Sequence, residues 1–87
     1  MGELTNMPVT QEELLKLGLR IKALRKLLGQ NQKDFSKQCG LDRSYFGGVE
    51  RGERNLTFFS LCQICNGLQC DIAAITKGIP RLRIAPK

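Results

Sequence analysis

Apolar residues recur along this chain at helical spacing in short blocks, and each block is bounded by residues that start or stop a helix. The first block carries Leu14, Leu17, Ile21, Leu24 and Leu28, which fall on one face of an α-helix. Thr10 and Glu13 have the spacing of a capping box ahead of it, and Gly29 suits its C-terminal cap. Gly18 lies inside this helix and is expected to weaken it by ~1 kcal/mol relative to Ala. Asn31 is a natural N-cap for a second helix, from Gln32 to about Cys39. Gly40 supplies the positive φ of a sharp turn. Asp42 then caps a third helix, from Arg43 to about Arg51, which Gly52 ends. After a loop from Glu53 to Leu56, Thr57 caps a fourth helix with Leu61, Ile64, Cys65 and Leu68 on one face. Gly67 is its expected breaking point. Asp71 caps a short fifth helix carrying Ile72, Ile75 and Ile79, limited by Gly78 and Pro80.

Five short helices with brief links predict an all-α fold with no room for a sheet. The organisation expected is a loose arm over residues 1–10, a helical domain over 11–79 and a basic tail over 80–87. The chain has 87 residues, the size of one domain. Aromatics make up only 6% of it, with no Trp, so its core must be built from aliphatic and small residues, as in packed short helices. No stretch approaches the ~20 apolar residues of a membrane span. The N-terminus lacks the basic-then-apolar pattern of a signal peptide, so a cytoplasmic location is expected.

Within this pattern one segment, Gln32 to Arg51, carries the chemistry. Phe35, Phe46 and Val49 are placed to point inward, Gly40 to sit in the turn, and Arg43 and Ser44 to point outward. That is the layout of a helix-turn-helix, whose second helix enters the major groove of DNA. The net charge of +6, from 14 Lys and Arg against 8 Asp and Glu, suits a polyanionic partner; the bland alternative is a solvated basic surface. The chain has no His, which excludes a Ser-His or Cys-His catalytic pair. Its carboxylates are scattered, and Gly47-Gly48 lacks the spacing and the Lys of a phosphate-binding loop. No enzyme activity and no cofactor are expected.

Arg43 is the strongest base-reading candidate, because its planar fork can span guanine O6 and N7, a pair worth ~1–3 kcal/mol of discrimination; the alternative is a phosphate contact or a free surface Arg. Ser44 beside it can donate or accept. Tyr45 has two readings, a contact with sugar, thymine methyl or phosphate, or a cover over the rim of the core. Arg51 has phosphate as its default partner, and Lys33 and Lys37 lie beside the same backbone or serve as solubilising charge.

Leu17 to Ile79 resembles the lambda-repressor-like (Cro/C1-type, XRE) helix-turn-helix family. The resemblance rests on Arg25, Asn31-Gln32, Gly40, the run Val49-Glu50-Arg51-Gly52 and the Leu61/Ile64/Cys65/Leu68 pattern. Leu41-Asp42-Arg43-Ser44-Tyr45, with Glu50-Arg51 and Arg54-Asn55-Leu56-Thr57, is most similar to controller proteins of restriction–modification systems. The resemblance implies a partly buried salt bridge between Arg25 and Glu50, a phosphate contact by Gln32 at a helix N-terminus, and DNA-facing positions at Gly47 and Gly48. Missing side chains there would let the helix approach the groove floor; the alternative is close packing against another helix. Arg54 and Asn55 match controller-protein positions that approach DNA, with a base contact by Arg54 as a further option.

The function implied is a sequence-specific regulator that binds double-stranded DNA as a homodimer. Two half-sites about one helical turn apart multiply the few contacts of one recognition helix. The family dimerises through its C-terminal helices, which makes Ile72, Ile75 and Ile79 the expected interface, with a place in the chain's own core as their alternative. A second reading is an antitoxin-like or phage-type repressor that also binds a protein partner. Cys62-x-x-Cys65 has the form of half a zinc site, but Cys39 and Cys70 make no matching pair, so reduced structural thiols and no metal are expected.

Overall fold

The computed structural model describes residues 11–81. The arm over residues 1–10, with its capping Thr10, and nearly all of the tail lie outside the described residues. Five α-helices follow in order: α1 Gln11–Leu27, α2 Gln32–Cys39, α3 Arg43–Glu50, α4 Phe58–Leu68 and α5 Ile72–Thr76. There is no strand among the described residues, and the all-α expectation is met.

The local signals act as read. Asn31 accepts from the Asp34 N–H at 2.7 Å, and Asp42 accepts from the Tyr45 N–H at 3.0 Å. Thr57 does the same for Ser60, and Asp71 for Ala74, both at 3.0 Å. Each satisfies one of the donors that a helix start leaves open. Gly40 closes α2 in the left-handed region at φ 74°.

Ile21, Phe35, Phe46, Ile64 and Ile75 are fully enclosed at the centre of the core, with Leu17, Cys39, Val49, Cys65 and Leu68 around them. Phe35 of α2 and Phe46 of α3 meet with ring centroids 5.3 Å apart. Such a pair adds ~0.5–1.5 kcal/mol beyond area burial and fixes one helix of the motif against the other. Leu28 lies past the end of α1 and is exposed, so the apolar face of that helix stops one turn early.

One glycine behaves otherwise than expected. Gly67 does not break α4, which runs on to Leu68 and ends at Gln69 in the left-handed region. Gly67 is instead a contact point: a Cβ on it would lie 2.6 Å from the Cys39 sulfur and 3.2 Å from the Phe35 ring. Gly18 has the same role between α1 and the end of α3.

A further correction concerns the expected interface. Ile75 is fully enclosed within its own chain, so it belongs to the core and cannot meet a partner; Ile72 and Ile79 are half-buried. The helix that carries Ile75 has only five residues and needs tertiary support. Arg20 of α1 supplies part of it, donating from Nη1 to the carbonyls of Ile75 at 2.9 Å and Lys77 at 2.6 Å.

Candidate nucleic-acid interface

The site is built outward from a buried ion pair. Arg25 of α1 meets Glu50 at the end of α3 through two bonds, Nε to Oε2 at 2.7 Å and Nη2 to Oε1 at 3.0 Å. Their side chains are only 7% and 2% exposed, so the pair is buried more fully than the sequence suggested. Arg25 Nη1 also donates to the Gln30 carbonyl at 2.7 Å, anchoring the turn that leads into α2. Two-pronged geometry of this kind fixes orientation as well as distance. It ties α1, the entry to α2 and the end of α3 into one frame.

Gln32 extends that frame. Its Nε2 donates to Glu50 Oε1 at 2.9 Å. The amide expected to contact phosphate thus also has a partner within the protein, and Gln32 remains half-buried at the start of α2. Nothing in the sequence pattern alone signalled this bond.

Beyond the frame, Arg43 and Ser44 open α3, and both are exposed. Lys33 and Lys37 of α2 are exposed too. Tyr45 is half-buried and packs against the core, the rim position that was one of its two readings. Its hydroxyl donates to the Asn55 carbonyl at 3.0 Å, and the Arg54 guanidinium lies over its ring at 5.6 Å from the centroid. Tyr45 thus links the recognition helix to the loop behind it.

Gly47 and Gly48 are not bare. A Cβ on Gly47 would meet Arg51 Nη1 at 3.2 Å and Gln32 Oε1 at 3.4 Å, and a Cβ on Gly48 would meet Arg54 Cγ at 2.7 Å. The missing side chains make room for these longer ones to lie along the helix. Arg51, the C-cap of α3, also holds an exposed ion pair with Glu53 at 3.0 Å, which the sequence reading missed.

The four cysteines are free thiols. Cys39 and Cys65 are buried, and Cys62 and Cys70 are half-buried. Burial pushes the Cys39 thiol up to about 11. Burial first, then the neighbouring Cys70, pushes Cys65 up to about 12. Thiols held protonated in this way are poor metal ligands and poor nucleophiles. Among the described residues no group of three His, Cys, Asp or Glu is placed to hold a metal ion. No described helix is long and apolar enough to cross a membrane.

Comparison with known proteins agrees with this arrangement. The helix-turn-helix family profile matches residues 21–75. The control protein C.MunI of Mycoplasma sp is 31% identical over 68 residues, covering 77% of this chain and 92% of its own. The restriction-modification controller protein C.AhdI of Aeromonas hydrophila superposes with a TM-score of 0.72 at 36% identity, over 74% of this chain and 97% of that one. The restriction-modification controller protein C.Esp1396I, solved as a tetramer with its natural 35 base-pair operator, gives 0.68 at 37% identity, over 75% and 86%.

Proposed function

The chain belongs to the helix-turn-helix family and is a DNA-binding transcriptional regulator, and from that premise we propose that it is the controller of a restriction–modification system. The likeness to controller proteins over most of their length supports this. In this reading the chain works in the cytoplasm as a homodimer on two half-sites about one helical turn apart.

The single observation that carries the reading is the exposed start of α3, with Arg43 and Ser44 outward on a helix locked from behind by Arg25, Glu50 and Gln32. Arg43 reads a base edge and Ser44 assists it. Lys33, Lys37, Arg51 and Arg54 hold the phosphates, together with the N-terminus of α2. Tyr45, Asn55, Gly47 and Gly48 shape the bed on which Arg54 and Arg51 rest.

The self-association surface includes Phe58 and Phe59, which are 73% and 71% exposed at the start of α4. Aromatic side chains so exposed are the kind that a partner surface covers. Ile72 and Ile79 remain as the half-buried part of the C-terminal surface.

Selection from random duplexes, followed by affinity measurements on the selected and random DNA, tests the reading. Arg43→Ala is expected to lower the ratio of selected to random affinity by about 1–3 kcal/mol. Lys33→Ala should weaken both duplexes alike and flatten the log-log salt slope by about 0.9. A uniform loss with Arg43→Ala would count against base reading by that residue.

A further inference from the structure

Glu53 brings a carboxylate against Arg51, one of the cations of the proposed interface. Its position is fixed to the recognition helix. The Glu53 N–H donates to the Gly48 carbonyl at 2.8 Å, and the N–H of Gly52, at φ 75°, donates to Val49 at 3.0 Å. These bonds close the end of α3 in the manner of a helix C-cap. From there Glu53 Oε1 accepts from Arg51 Nε at 3.0 Å. Arg51 Nη1 lies beside Gly47 on the same helix, so the pair stands against the recognition element. The two side chains are 59% and 60% exposed, within reach of a ligand. Asp34 and Asp42 are engaged differently: Asp34 accepts from Asn31, and Asp42 from the Tyr45 N–H.

We propose that Glu53 limits DNA affinity by holding Arg51 in an internal ion pair that a DNA phosphate must displace. The proposal rests on the backbone-contact reading of Arg51 given above. An exposed pair of this kind is weak, so the exchange is reversible. A cation whose charge is already cancelled displaces fewer counterions from the duplex. Because the effect acts on the backbone, it is the same for every sequence. Glu53 thereby restrains residence on DNA in general without changing which site is preferred.

The full chain and the variants E53Q, R51A and R51A/E53Q are titrated against a random-sequence duplex and a selected duplex, between about 0.05 and 0.2 M KCl. E53Q is expected to steepen the salt slope by up to about 0.9 and to tighten both duplexes by the same factor, about two- to fivefold. In the R51A background the same substitution should change affinity by less than about twofold. Unfolding curves are recorded alongside, and E53Q should unfold like the parent, since its backbone bonds are untouched. The proposal is overturned if E53Q weakens binding or leaves affinity and slope unchanged. It is also overturned if the gain persists in full without Arg51, which would reduce Glu53 to a simple repulsive charge. Failure of R51A itself to weaken binding would instead remove the backbone role of Arg51 on which the proposal stands.

Discussion

Gly18 of α1 approaches Glu50 of α3 so closely that a Cβ on it would lie 2.5 Å from the Glu50 carbonyl oxygen. The Val49 oxygen is equally near. Gly52 repeats the contact from the other side, its absent Cβ falling 2.7 Å from the Leu15 Cα. The first helix and the end of the recognition helix therefore touch backbone to backbone.

Gly18→Ala should consequently destabilise the chain, although Ala is the better helix former. The propensity gain is ~1 kcal/mol. Forcing an atom against backbone costs about 1–3 kcal/mol, and more where neither helix can shift. A lower urea midpoint with an unchanged slope is the expected result. A variant as stable as its parent would show that the two helices separate easily.

Arg25→Met should destabilise by about 3–5 kcal/mol, because it leaves the Glu50 carboxylate buried without its cation. Gln32→Ala removes one hydrogen bond and keeps the ion pair, so about 1 kcal/mol is expected. Denaturant unfolding of both single variants and the double variant measures how strongly the two interactions depend on each other. A loss under about 0.5 kcal/mol for Arg25→Met would mean that the frame does not depend on the pair.

Stability should fall in alkaline solution. The folded-state values of Cys39 and Cys65, about 11 and about 12, lie above the ordinary 9.0. The unfolded chain therefore releases these protons first as pH rises. Stability from this source is complete below pH 9 and is lost progressively as pH climbs through 9 toward the folded-state values. By about pH 10 the Cys39 thiol alone should cost about 1 kcal/mol, with Cys65 adding in the same direction, read as a falling melting temperature. Cys39→Ala should remove part of this slope; an identical slope would place its origin elsewhere.

What the sequence made legible was local. Asn31, Asp42, Thr57 and Asp71 each bond a backbone N–H three residues on, so their role follows from neighbours in the chain. The inward set Phe35, Phe46 and Val49 followed from helical period, and the Arg25–Glu50 pair from family resemblance. What stayed hidden depends on segments distant in sequence. Gly67 reads as a helix breaker until Cys39 and Phe35 are brought against it. Ile75 lies on an apolar face, but periodicity does not say whether that face meets the chain itself or another copy. Gln32 has a free amide in the sequence, and only the fold brings Glu50 to it.

Tyr45 holds the loop carbonyl of Asn55 by its hydroxyl and carries the Arg54 guanidinium above its ring. One aromatic residue is thereby the common footing of two separate stretches of the proposed contact surface. A lineage drifting toward a different operator could not exchange these positions one at a time. Replacing Tyr45 would disturb Arg54 and Asn55 together, so new target preferences should arise through concerted changes across helix and loop.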